Sequence, residues 1–269
     1  MTRRYSLAQL TALPYAPPQM LQLAEKVGCH ATGVRLLPAA PGGKYYPLMT
    51  DAAMLRETLA CMQDTGVQIL DLEIIRIDQG FAVQDWLAFM ETGAKLGAKH
   101  ILVAGDDTDI PRLTASFAKL CEAAAPFGLT ADLEFMPWTV IANVAIARQI
   151  LEAVAQPNAG ILVDALHFAR CASTLAELAA LPRDCLHYAQ ICDGTVPAPT
   201  SVEDLIFDAR CNRLLPGEGG INLRDLFAQL PADLPISIEI PNDARTREMG
   251  FEAWAKQAMQ TSRQMLEGE

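Results

Sequence analysis

Histidine is scarce in this chain: four residues in 269, at positions 30, 100, 167 and 187, too few for a His-rich multinuclear zinc centre. No apolar run approaches the roughly 20 residues needed to cross a bilayer, so a membrane span is not expected. The amino terminus, MTRRYSLAQLTALPYAPPQ, starts basic but has neither a continuous apolar core nor a small-residue cleavage site, and it reads as the first strand. Seven cysteines, an odd number with no CxxC pair, argue against a disulfide framework or a zinc ribbon. Reduced thiols in a cytoplasm are the expectation. Positive charge is also short: the formal net charge of −11, with no basic cluster to offset it, would repel a phosphate backbone and excludes nucleic acid as an expected partner. A GxGxxG turn is absent, and with it the usual cradle for a dinucleotide.

What is present is an ordinary globular composition, 51% apolar and 20% charged, in a chain slightly longer than the roughly 250 residues typical of an eightfold β/α barrel. No composition shift marks a linker, so residues 1–269 are expected to form one domain. Short β-type runs alternate with amphipathic stretches, the pattern of a parallel sheet with crossover helices. Strands are expected within RYSLAQL, ATGVRLL (ending near Arg35), VQILDLEIIRI and HILVAG. Helices are expected at PPQMLQLAEKVG, closed by Gly28, at DAAMLRETLACMQDTG, capped by Thr50 or Asp51, at QDWLAFMETGAKLG, at TASFAKLCEAAAPFG and at the closing GFEAWAKQAMQTSRQMLEG. Four more strands end at Glu134, Asp164, Gln190 and Glu239. Eight strand-like units favour a closed (β/α)8 TIM barrel over an open doubly wound sheet. The longest connection, residues 193–220, is rich in Pro and Gly and reads as a loop over the active mouth.

The four later strands each end in one side chain able to bind a metal. In a parallel barrel their carboxyl ends share one mouth, so Glu134, Asp164, Gln190 and Glu239 are expected to meet around a point. A lone strand-terminal carboxylate has a plainer reading, as a helix cap or an Arg partner; four on consecutive strands point to a shared divalent ion. Three carboxylates and an amide oxygen form a hard donor set, suited to manganese, magnesium or cobalt more than to zinc. His167, three residues after Asp164, reads as a general base or a donor to substrate, or else as an orienting or core histidine. Arg213 would bind an anion in forked geometry or anchor its own loop. Arg35 and Glu73 are candidates for pocket polarity or for a structural ion pair. Trp138 and Phe168 would wall the pocket or pack under loops, and Cys192 reads as a buried small hydrophobe.

These residues resemble the xylose isomerase-like TIM barrels, a group of sugar-phosphate isomerases and epimerases, tagatose-type 3-epimerases, inosose dehydratases and 3-dehydroshikimate dehydratases. The resemblance covers nearly the whole length, with its specific part between Glu134 and Glu239. The D-x-x-H of that family stands as Asp164-Ala165-Leu166-His167, its H-x-K-D becomes Gln190-Ile191-Cys192-Asp193, and its R-x-x-P-G-E-G is Arg213-Leu214-Leu215-Pro216-Gly217-Glu218-Gly219. The family's Glu, Asp, His, Glu ligand set falls on Glu134, Asp164, Gln190 and Glu239. The departure is Gln190 for His, which shifts weight toward a lyase.

The resemblance implies a metal-dependent isomerase or epimerase that abstracts a proton beside a carbonyl through a metal-stabilised enediolate, with Glu134 and Glu239 as acid and base. Loss of a β-hydroxyl, assisted by His167, would instead make it a dehydratase. A non-catalytic metal or ligand-binding module is the reading outside enzymology, and a DNA-repair nuclease on the same barrel is disfavoured by charge. The expected substrate is a small sugar, cyclitol or cyclic keto acid, and the lack of a Gly-rich phosphate loop favours an unphosphorylated one. The resemblance also implies a homodimer packed through barrel helices.

Overall fold

The computed structural model describes residues 3–268. Eight strands, all paired in parallel, close into a barrel in chain order: β1 Tyr5–Leu7, β2 Ala31–Arg35, β3 Gln68–Ile77, β4 His100–Gly105, β5 Thr130–Glu134, β6 Ala159–Asp164, β7 Ala189–Ile191 and β8 Ile236–Ile238. Closure comes from β1 against β8, with Ser6 opposite Ser237 and Leu7 opposite Ile238. The expected TIM barrel is present. No helix among the described residues is long and apolar enough to cross a membrane.

Alternation along each strand sorts the side chains into two cores. Outward residues such as Ile101, Val103, Leu133, Ile161, Val163, Ile191 and Ile238 pack against the helices. Inward residues Leu70, Ile74, Leu102, Ala104, Leu162 and Tyr188 fill the barrel. Because Leu133, Val163, Ile191 and Ile238 point outward, Glu134, Asp164, Gln190 and Glu239, each one residue further on or back, must point inward. Parity alone therefore delivers the four donors to the mouth.

Caps mark where the helices begin. Asp51 accepts from the amides of Ala53 and Met54. The helix expected to start near Thr114 starts earlier, at Ile110, capped by Asp109 with Pro in its first turn. The first strand is shorter than RYSLAQL, giving way to a 3-10 turn at Gln9–Ala12.

The segment 193–220 is not a plain loop. It holds a helix at Val202–Cys211, capped by Ser201, whose hydroxyl accepts from the Asp204 amide. Flanking prolines and the PGEGG run dominate the composition, but the Ser-x-x-Asp start and apolar Val202, Leu205, Ile206 and Ala209 suffice for three turns. A short helix also follows β6 at once, at Ala165–Arg170, with Asp164 itself as the cap.

Candidate metal centre

Asp164 ends β6 and caps the next helix in the same step: its Oδ1 accepts from the His167 amide at 2.9 Å. The D-x-x-H spacing is thus a capping geometry that also fixes where His167 stands. The other oxygen, Oδ2, accepts from Arg213 Nη1 at 2.5 Å, and Arg213 Nη2 reaches Glu239 Oε2 at 2.9 Å. Arg213 is held by its own loop as well, since Nε donates to the Ala209 carbonyl at 2.8 Å and Asn242 donates to its backbone oxygen at 3.0 Å. Arg213 thus anchors its own loop, and its guanidinium is taken up by Asp164 and Glu239 of the chain itself.

The loop carrying Arg213 is organised by Asp193. Its carboxylate accepts from the amides of Gly194, Gly217, Gly219 and Ile221 at 2.8–3.1 Å. A side chain at Gly219 would meet Asp193 Oδ1 and the Gly194 carbonyl at 2.3 Å, so the motif needs glycine there. Two sequence signatures, Q-I-C-D and R-x-x-P-G-E-G, are therefore two sides of one clasp.

Glu134 ends β5 and stands 3.6 Å from His167 Nε2. Donor atoms of Glu134, Asp164 and His167 lie within 4.8 Å of one another, close enough to share an ion. Glu239 joins this group through Arg213 rather than by direct approach. Gln190 is fully buried, and neither its amide oxygen nor its nitrogen has a partner among the described residues. An orphaned buried amide is costly unless something supplies the missing bond.

Charge makes the same point. Three buried carboxylates, Glu134, Asp164 and Glu239, face one buried guanidinium, Arg213, which leaves two negative charges uncompensated. Burial first, then Glu239 and Asp164, push the Glu134 carboxyl well above its usual range against the pull of Arg213. Burial likewise lifts Glu239 to about 7 although Arg213 opposes it. At Asp164 burial is outweighed by Arg213 and His167, so its carboxyl stays below the ordinary value. A divalent cation would balance the charge and pull the raised pair back down. The buried carboxylates and the partnerless Gln190 amide therefore have the chemistry a divalent metal requires, and the donor atoms of Glu134, Asp164 and His167 are close enough to share one.

His167 is buried and its Nδ1 has no partner among the described residues. Burial lowers it to about 4 against the attraction of Asp164, so the imidazole is neutral at physiological pH. Trp138 meets it edge-on, ring centres 5.0 Å apart, and both line the cavity above the metal donors together with Arg35, Glu73, Glu134, Arg213 and Glu239. Arg35 and Glu73 are bonded to each other, Nε to Oε2 at 2.9 Å, while facing that cavity. Phe168 packs into the core outside the barrel instead of walling this pocket. Cys192 is buried against Arg213, its thiol pushed up by burial. All seven cysteines are free. Arg76, Arg210 and Met136 also line the cavity and escaped the sequence reading.

The family described as the xylose isomerase-like TIM barrel matches residues 21–266. This chain belongs to that family. Within it, the chain is 25% identical over 158 residues to an inosose isomerase of Halalkalibacterium halodurans, a match covering 55% of this chain and 54% of that protein, so it spans only about half of that curated relative. Among solved structures, the IolI protein with a bound zinc atom superposes with a TM-score of 0.80 at 19% identity, covering 98% of both chains. A D-allulose 3-epimerase from Methylomonas gives 0.72 at 15%, covering 98% of this chain and 97% of that one. A probable 3-DHS dehydratase, AsbF, from Bacillus anthracis gives 0.74 at 14%, covering 96% and 98%. The proteins this chain resembles are thus named as an isomerase, an epimerase and a probable dehydratase, and the IolI structure holds a zinc atom.

Proposed function

We propose that the protein is a divalent-metal-dependent isomerase or epimerase of a small sugar-like or cyclitol compound, acting by proton abstraction beside a carbonyl. The observation that carries this is the charge imbalance at the mouth: three inward carboxylates with one guanidinium, next to an amide with both ends open. When bound, a divalent cation there supplies Lewis acidity, which polarises a carbonyl and acidifies the adjacent C–H. Manganese, magnesium or cobalt suit the oxygen donors best.

The chain's own groups do the rest. Glu134 and Glu239 stand on strands separated by β6 and β7 and face the cavity from different sides, the disposition needed to take a proton on one side of a substrate and return it on another. Neutral His167, fixed by the Asp164 cap and the Trp138 edge, can accept a proton or donate one to a substrate oxygen through Nε2. Arg213 holds Asp164 and Glu239 in place. The walls of Trp138, Met136, Ile74 and Leu102 limit water at the reacting carbon.

Dehydration is the second reading, favoured by Gln190 in place of His and by His167 standing where it could protonate a leaving hydroxyl beside Glu134. Metal titration of chelator-treated protein with manganese, magnesium, cobalt and zinc, beside Glu239→Gln and Asp164→Asn, tests the shared foundation. One-to-one binding weakened by both changes supports the site; indifference to both changes removes it. A substrate panel followed by proton NMR in heavy water then separates the reactions. Deuterium entering carbon without loss of water supports isomerisation, and an enone or aromatic product supports the lyase.

A further inference from the structure

The cavity mouth above the metal donors carries Arg35, Arg76 and Arg210 in addition to Arg213. Three of these four are spoken for. Arg35 pairs with Glu73, Arg76 with Asp106 at 2.5 Å and with the Ala39 carbonyl at 2.9 Å, and Arg213 with Asp164 and Glu239. The side chain of Arg210, half-buried in the last turn of the helix Val202–Cys211, makes no hydrogen bond or ion pair among the described residues. Burial, then Arg76 and Arg35, lower its basicity, with Asp106 opposing them.

A guanidinium in such company is unfavourable unless an anion joins it. The helix C-terminus attracts a cation, but a side chain turned to solvent would satisfy that attraction without meeting two other arginines. The setting makes the cluster more informative still. On a chain of net charge −11, an anionic substrate needs a cation that the protein's own carboxylates have not already paired, and in this cavity Arg210 is that cation among the described residues.

We infer that Arg210, supported by Arg76 and Arg35, binds an anionic oxygen group of the substrate, a carboxylate or a phosphate monoester, at the cavity mouth while the reacting carbons lie over Glu134 and Glu239. This rests on the metal-dependent reading for the reacting end, and it narrows the substrate from sugars in general to acidic polyhydroxy compounds. It qualifies the expectation drawn from the missing Gly-rich loop, because side-chain guanidinium groups can hold a phosphate without backbone amides.

The test uses a matched series of one carbon skeleton: neutral sorbitol, D-gluconate and sorbitol 6-phosphate, each titrated calorimetrically into manganese-loaded and chelator-treated protein. At least one acidic member is expected to bind about tenfold tighter than sorbitol. Preference for gluconate identifies a carboxylate site, and preference for sorbitol 6-phosphate a phosphate site. In Arg210→Gln the acidic compound should fall to the affinity of sorbitol while one-to-one metal binding is retained; Arg210→Lys should recover part of the difference. Equal affinity across the series, or an acidic preference that survives Arg210→Gln, overturns the inference. Acidic preference in a protein that binds no metal leaves this site standing and removes the proposed function instead.

Discussion

At the amino-terminal end of the strands Asp132 points into the barrel, and two residues along the same face of β5 Glu134 points into its mouth. Both belong to clusters whose donor atoms come within 4.8 Å, His100–Asp132–His187 below and Glu134–Asp164–His167 above. Below, the bonds are closed on each other: Asp132 Oδ1 pairs with His187 Nδ1 at 2.6 Å, Oδ2 accepts from the Thr130 hydroxyl at 2.6 Å, and Thr130 meets His100 Nδ1 at 2.8 Å. Gly160 leaves the space, since a side chain there would strike Asp132 Oδ1 at 2.1 Å and His187 Nδ1 at 2.5 Å. Above, the Gln190 amide and His167 Nδ1 have no partner among the described residues, and two negative charges stand without a counter-charge. Similar residue types serve opposite ends. A polar cluster that satisfies itself stabilises the barrel, and one that is left open awaits a ligand.

The contrast predicts different losses. His167→Gln is expected to lower kcat by about 10²–10⁴-fold on whichever substrate the panel identifies, with one-to-one metal binding kept. Loss of metal affinity in that variant would move His167 from proton transfer into the ligand set. Asp132→Asn should do the reverse, leaving metal affinity unchanged and costing about 3 kcal/mol of stability, read as a melting temperature lower by roughly 5–10 °C. Its pH dependence has a definite sign. Burial lowers His187, but Asp132 more than offsets this and raises it, so the pair contributes fully below the unfolded value near 6.5 and fades as pH climbs through the folded one. The deficit of Asp132→Asn should therefore shrink on going from pH 6 to pH 9. Unchanged melting with lost metal binding would make the lower cluster the ion site.

How far the sequence foretells this depends on what periodicity can carry. Strand parity locates Glu134, Asp164, Gln190 and Glu239 because each follows or interrupts a run of outward apolar residues, and that pattern survives without tertiary knowledge. Parity does not reveal Asp164 as a helix cap, since nothing in D-A-L-H distinguishes a loop from an immediate helix start. Arg210 lay hidden because Pro and Gly on both sides of residues 202–211 mask a short helix held by one cap and by packing. The lower cluster lay hidden for another reason: His100 opens β4, Asp132 is the third residue of β5 and His187 precedes β7, and they meet only when the barrel closes. Arg35 and Glu73 were legible as pocket candidates, and their register partnership across β2 and β3 makes them each other's counter-ion.

Asp71 decides whether the division between the two ends is real, because it stands opposite His100 in the register and yet feels Glu73 and Glu239 as well as Asp132. It is fully buried beside Gly33, and neither carboxylate oxygen has a partner among the described residues. Burial first, then Glu73, Glu239 and Asp132, raise its carboxyl well above the ordinary value against Arg35. A carboxyl raised on folding contributes its stability below the unfolded value near 4 and loses it as pH rises toward the folded one, so at neutral pH Asp71 is a net cost. Asp71→Asn keeps the shape and removes the proton exchange. It is expected to gain about 1–2 kcal/mol at pH 7, a rise of a few degrees in melting temperature, and to gain nothing near pH 3.5. Melting curves of both proteins across pH 3.5–8 check this. A variant less stable at every pH would mean that Asp71 is ionised and compensated inside the barrel, and the open, ligand-seeking character of the mouth would then extend down the interior to the level of His100.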